Sequence, residues 1–377
     1  MSNAPGLLLT ILAFLAVIGP LVFVHELGHY LVGRWFGVKA EAFSIGFGRE
    51  MFGFTDRLGT RWKFGWLPLG GYVRFAGDMN PASQPDPKWM LLPAEERNRT
   101  FHAKPVWQRA LIVAAGPVTN FLLAILILAV FAMAVGVNRT PAQVGALQPD
   151  SVAAKAGFLP GDTILSINGR DMDDFRDLVD FVTARPGETL SVRVDRRGAI
   201  RTINAVTGVR YQVDRFGNKY PFGQLGIAPP PQIIERVGPL EAPAIALRQT
   251  FGFVRGMVDG LGQIVTGRRS AKELGGPLRI AQISGEVANV GPSAFVGFVA
   301  LISINLGFIN LLPVPMLDGG HLLFYALEAV RRKPVAPQVQ EWAFRSGLLL
   351  LLGLMLFVTF NDLSAFGLWR GLSGLIG

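Results

Sequence analysis

Gly6-Leu-Leu-Leu-Thr-Ile-Leu-Ala-Phe-Leu-Ala-Val-Ile-Gly-Pro-Leu-Val-Phe-Val24-His25-Glu26-Leu27-Gly28-His29 is an uncharged apolar run that ends in two histidines and a glutamate. A spanning helix needs about 20 mostly apolar residues to cross a hydrocarbon core about 30 Å thick, and this run has that length. On such a helix His25 and His29, four apart, share one face. Both imidazoles then reach one tetrahedral zinc while Glu26 points at the metal's water. Ionisable groups deep in an apolar helix are costly to bury and functional by default. The competing reading is a helix end from which His and Glu snorkel to the interface. A cleavable signal peptide would carry Lys or Arg in its first residues, and Met1 to Pro5 has neither.

Composition supports a membrane reading. Half of the 377 residues are hydrophobic and only 17% are charged, too apolar for an ordinary soluble enzyme. Working outward from the first run, further uncharged spans occupy Ala110 to Val137, Ala294 to Leu317 and Ser346 to Phe360. The expected fold class is therefore an α-helical polytopic membrane protein with about four transmembrane helices, in contact with membrane lipid. With no cysteine, disulfides, thiolate zinc sites and cysteine nucleophiles are excluded. The net charge of +9 comes from Lys and Arg interleaved with Asp and Glu rather than gathered in a stripe, so no nucleic-acid partner is expected.

The basic stretches Gly33 to Lys104 and Arg331-Arg332-Lys333 fall on the cytoplasmic side by the positive-inside rule. Both termini and the long segment from Asn138 to Gly291 then lie on the opposite face. Within that segment, 138–207 reads as a β-rich domain, with alternation in Leu190-Ser-Val-Arg-Val-Asp and a turn at Asn168-Gly169. A further segment, 208–291, contains a helix over about 243–266 whose Phe251, Val254, Met257, Val258 and Leu261 lie largely on one side. It suits either the membrane surface or a packed helix face. Membrane halves at 1–137 and 292–377 complete the division.

A third zinc ligand must come from elsewhere, with one position left open for water. Asp318 is the candidate, in Asn310-Leu-Leu-Pro313-Val-Pro315-Met-Leu-Asp318-Gly319-Gly320-His321. Two prolines and two glycines interrupt an apolar span there, and such breaks are tolerated only where backbone lines a cavity. Without the HELGH segment, Asp318 would read instead as a helix cap at the cytoplasmic interface. Arg61 to Phe75 alternates and carries Trp62 and Trp66, which suits either a hairpin whose edge pairs with an extended substrate or interfacial anchoring. In Gly116-Pro-Val-Thr-Asn120 the small residues point to close helix packing.

Taken together, HELGH in the first membrane helix, the Asn310 to Gly319 motif in the third, Ser44-Ile-Gly-Phe-Gly, Pro68-Leu-Gly-Gly-Tyr-Val-Arg and Ala114-Ala-Gly-Pro-Val-Thr-Asn-Phe resemble the site-2 protease family along nearly the whole chain. Ala156-Gly-Phe-Leu-Pro-Gly-Asp-Thr-Ile-Leu-Ser-Ile-Asn-Gly169 resembles the core signature of a PDZ domain. The best-known bacterial members carry two tandem PDZ domains, whereas this chain has room and signature for one. The resemblance implies a zinc metalloendopeptidase of the bacterial inner membrane with an inserted PDZ domain on the periplasmic side. It implies Zn2+ held by His25, His29 and Asp318, with Glu26 as general base. It further implies a membrane-dipping hairpin at about 61–75 and substrate held by Asn310, Pro313, Gly70 and Gly71. The substrate implied is a single-span transmembrane protein, such as an anti-sigma factor or a remnant signal peptide, and the PDZ domain would read a peptide or chain terminus. A silent peptide-binding scaffold is disfavoured by Glu26, and a transporter by both Glu26 and the PDZ signature.

Overall fold

Leu7–Trp35 forms one helix, α1, with Pro20 inside it. Its apolar residues are divided by contact rather than by chemistry: Leu7, Leu8, Leu12 and Leu31 are exposed, whereas Ala13, Val17, Leu21 and Tyr30 are buried. An apolar helix left largely uncovered by protein is one that a bilayer covers. The computed structural model describes residues 6–79, 87–213, 219–267 and 275–365. Both termini, assigned above to the non-cytoplasmic face, lie outside these residues.

Among the described residues, four helices are long and apolar enough to cross a membrane: Leu7–Trp35, Val106–Val135, Pro292–Asn310 and Gln338–Leu363. The third stops at Asn310, short of the expected Leu317, because Pro313 and Pro315 cannot continue the hydrogen-bond ladder. The fourth begins earlier than Ser346, on the polar stretch that follows Pro337.

After α1 come two bent strands, β1 (Ala40–Thr55) and β2 (Arg61–Phe75), joined by a turn that Asp56 organises. Its Oδ1 accepts from the N–H groups of Leu58 and Thr60 at 2.8 and 2.9 Å. Ala42 pairs with both Arg74 and Arg61, Phe43 with Val73 and Trp62, and Ile45 with Gly71 and Phe64, while Phe52 pairs with Phe64 and Phe54 with Trp62. The expected hairpin within 61–75 is thus corrected. The two ends of that stretch flank residues 42–45 and pair with them, not with each other. The physical reason lies in Gly46, Gly48 and Gly70, all at positive φ, which let each arm fold back and form further ladders. Residues 71–75 form one outer edge of the resulting sheet.

The membrane unit continues with α2 (Ala94–Arg97) and α3 (Val106–Val135), and after the β-rich segment with α6 (Ala242–Val265), α7 (Pro277–Val290), α8 (Pro292–Asn310), α9 (Asp318–Arg331) and α10 (Pro337–Ala365). Close approaches fix these helices. A Cβ on Gly28 would meet Ala115 O and Thr119 Oγ1, and one on Gly307 would meet Pro117 O and Phe121, so α1 and α8 both lie tight against α3. The Ser303 hydroxyl donates to Asn120 O at 2.7 Å. Arg109 and Glu328 pair at 2.7 Å, tying α3 to α9. Asp362 of α10 is buried and accepts from the N–H groups of Gly276 and Arg279 at 3.0 and 3.1 Å, satisfying the first amides of α7. One core gathers Tyr30, Phe43, Val73, Phe75, Phe101, Ile112, Val113 and Tyr325.

Phe131–Glu241 forms the second compact unit. It contains β3 (Val137–Arg139), β4 (Ala146–Leu147), α4 (Val152–Ala156), β5 (Thr163–Ile167), β6 (Arg170–Asp171), α5 (Phe175–Thr183), β7 (Thr189–Arg196), β8 (Ala199–Val206), β9 (Gly208–Val213), β10 (Lys219–Gln224), β11 (Ile227–Ala228) and β12 (Ile233–Glu235). A sheet in the order β6-β5-β7-β8 and the face of α5 enclose a core that includes Phe158, Ile164, Leu178, Leu190 and Val192. The unit runs past residue 207, the end expected above, because β11 returns to pair with β4 and β12 with β3. Local alternation gives no sign of such long-range pairing.

Asp162 anchors this core. Its carboxylate, 1% exposed, faces Arg196, whose Nε and Nη2 both donate to it at 2.7 Å. The Arg196 bonds hold its pKa below the usual carboxylate value, against the opposing effect of burial. A carboxyl depressed by folding stabilises the protein above its unfolded pKa, near 4, and that stability is lost as pH falls through the lower folded value. Replacing Arg196 with Met strands a buried charge. We expect faster amide exchange in β5 and β7 of the full-length protein at pH 7, with the deficit shrinking as the pH falls and the stranded carboxyl is neutralised.

Candidate metal centre

HELGH lies where α1 crosses α3. Thr119 Oγ1 sits 3.1 Å from Val24 O. His25 and His29 turn toward α3 and are buried. The two Nε2 atoms stand 3.2 Å apart, and Asp318 Oδ2, at the first turn of α9, is 3.1 Å from one and 3.6 Å from the other. Ligand atoms of all three residues lie within 4.8 Å of one another. Two ring nitrogens and a carboxylate, supplied by helices separated by most of the sequence, thus converge on one point.

The donor set fits zinc. Asp318 Oδ2 is buried and makes no hydrogen bond with adequate geometry despite its nearness to both rings, and a buried anionic oxygen left in that state calls for a cation. The His29 Nδ1–H donates to Ile112 O at 2.9 Å, which leaves Nε2 with its lone pair free. His/His/carboxylate with a position open to water is the ligand pattern of catalytic zinc.

Two glycines of α9 and a non-glycine turn deliver Asp318. Met316 sits at φ 81°. A Cβ on Gly319 would strike the carbonyls of Leu311 and Leu312, and one on Gly320 that of Val314, so the broken segment folds directly over the start of α9. On its other side Pro315 packs where a Cβ on Gly347 of α10 would stand.

The three residues line a cavity of about 330 Å³ with Glu26, Gly70, Gly71, Tyr72, Val73, Asn310 and His321. The expected site residues His25, Glu26, His29, Asp318, Asn310, Gly70 and Gly71 are therefore brought together. Pro313 is not; it is exposed and serves the break in the chain. A Cβ on Gly71 would meet Ser44 O and approach Val22 and the Glu26 side chain, so at this point bare backbone passes the glutamate. The structure adds residues to which the sequence reading gave no part in the metal site: Ile112, through its carbonyl; Gly116, where a Cβ would fall on both imidazoles; and Asn120, whose Nδ2 is 3.1 Å from His25 Nδ1. Of these, Asn120 carried a signal in the sequence, as the one amide within the uncharged run Ala110 to Val137.

The chain matches the model of Peptidase family M50 over residues 13–354. A Rhizobium meliloti protein bearing the name of a zinc metalloprotease is 47% identical over 94% of this chain and 96% of its own length. Metalloprotease MmpA of Caulobacter vibrioides is 37% identical over 98% of this chain and 99% of its own. Among solved structures, the PDZ domain of an SdrC-like protein from Listeria monocytogenes is similar to 25% of the chain, at 19% identity and a TM-score of 0.20, with 93% of that domain covered. With four membrane-length helices among the described residues and family matches along almost its entire length, the chain belongs to peptidase family M50 and is a membrane zinc metalloprotease.

Proposed function

We propose that this enzyme hydrolyses peptide bonds inside the transmembrane segments of single-span membrane proteins, such as anti-sigma factors or remnant signal peptides, in a bacterial inner membrane. The observation that carries the reading is the convergence of His25, His29 and Asp318 beside Glu26 in one cavity among helices of membrane length. His25, His29 and Asp318 would hold the metal. Zinc bound there supplies a Lewis acid that polarises a carbonyl and lowers the pKa of a water to about 7. Glu26 would take a proton from the attacking water as the C–O bond forms and give it to the amine nitrogen as the C–N bond then breaks.

A helical substrate hides its carbonyls in its own hydrogen bonds and must be extended before attack. Gly71, Tyr72, Val73 and Phe75 of the sheet edge line the cavity, and this edge offers backbone to an added strand. Gly70 and Gly71 keep that edge clear, and Asn310 supplies an amide across the cavity. Phe131–Glu241 acts, in this reading, as a periplasmic PDZ module. Its groove between α5 and Phe222–Ile227, lined by Leu178, Val179, Val182 and Leu225, suits a peptide or chain terminus.

The test uses detergent-purified wild-type protein, its zinc content, and cleavage of a tagged single-span substrate. Cleavage should fall to background on chelation and return on adding back stoichiometric zinc. Zinc-free protein that still cuts would overturn the reading.

A further inference from the structure

We infer that Asn120 is the positioning residue for His25, doing with its side-chain amide what the Ile112 carbonyl does for His29. The inference rests on the zinc reading given above. For His25 to bind a metal through Nε2, the atom that faces Asp318 at 3.1 Å, its single ring proton must sit on Nδ1 and needs an acceptor. The group facing Nδ1, at 3.1 Å, is the Asn120 amide. Asn120 is wholly buried, and its Oδ1 has no hydrogen-bond partner.

The two observations are complementary. With Nδ2 turned toward the ring, Asn120 donates to an unprotonated Nδ1, and His25 carries its proton on Nε2, the nitrogen next to Asp318. A half-turn of the amide, which scarcely changes its shape, brings Oδ1 to Nδ1–H, gives the orphaned oxygen its partner and frees Nε2 for the metal. Asn120 thus fits both tautomers and holds the same ring plane in each.

Its backbone is fixed independently, since Asn120 O accepts from Ser303 on α8 at 2.7 Å. The side chain therefore presents to His25 from a pinned position. One helix, α3, orients both ligands of α1: Ile112 carries His29, and Asn120, about two turns on, carries His25.

The experiment measures zinc affinity of the full-length protein by chelator competition for wild type, Asn120→Ala, Asn120→Leu and Asn120→Asp, with thermal melting of each metal-free protein alongside. Asn120→Ala and Asn120→Leu should weaken zinc by about 10- to 100-fold. Asn120→Asp, an acceptor that cannot donate, should hold zinc within a few-fold of wild type. Equal affinity in Ala, Leu and wild-type proteins would overturn the role, as would Asp failing alongside Ala while its metal-free melting matches wild type. If wild type itself binds no zinc, the metal reading falls and this inference with it; tight zinc in wild type combined with insensitivity at position 120 removes the inference alone.

Discussion

Glu26→Gln is expected to leave zinc content and chelator affinity at the wild-type level while cleavage drops by about 10²- to 10⁴-fold. Glutamine keeps the size of glutamate and can still hydrogen-bond, yet it cannot take a proton from water or return one to an amine. Glu26 lines the cavity with the three converging ligands, one residue from His25, but is not among the atoms that cluster as donors. The variant therefore separates chemistry from metal binding. Single-turnover cleavage of a tagged single-span substrate, with zinc measured on the same preparation, decides the matter. Zinc lost together with activity would make Glu26 a ligand, and activity kept within about tenfold would remove it as the general base.

Much of this site was legible because its parts are local. His25, Glu26 and His29 sit within two helical turns, where spacing alone sets geometry, and the Pro/Gly interruption before Asp318 marks a break that a membrane tolerates only beside a cavity. Spans of helix were legible for a similar reason, since length and hydropathy are local quantities. Their ends were less so: Pro313 and Pro315 stopped the third helix at Asn310. What remained hidden was the product of long-range pairing and close approach. Residues 61–75 alternate like a lone hairpin, and only the register against 40–55 shows both halves flanking β1. The return of β11 to β4 likewise left no local mark, so the β-rich unit ran past the boundary drawn from pattern. Reading Gly116 as a packing residue was sound as far as it went. What the glycine packs against, a pair of imidazoles, depends on the crossing of α1 and α3.

That crossing gives the second large effect. Gly116→Ala should abolish stoichiometric zinc binding and cut cleavage by at least about 10²-fold, the loss that a displacement near 1 Å inflicts on a positioned site. A methyl group at Gly116 would overlap the His29 ring at Nε2 and Cε1 and press on His25 Cε1. Neither imidazole has a simple retreat. His29 is tied to Ile112 O, His25 faces Asn120, and α1 is drawn against α3 at Gly28, where Ala115 O and Thr119 already occupy the space a Cβ would take. Relief has to come either from rotating both rings away from Asp318 or from parting the helices, and each route dismantles the donor set. Alanine favours a helix more than glycine does, so loss of helical propensity cannot explain the defect. Gly297→Ala on α8 is the matched control, because nothing lies within 4 Å of its added methyl; it should keep full zinc and activity. If Gly116→Ala instead retains zinc and cleavage, α3 does not bear on the imidazoles as described, and the roles assigned to Ile112 and Asn120 lose their support with it.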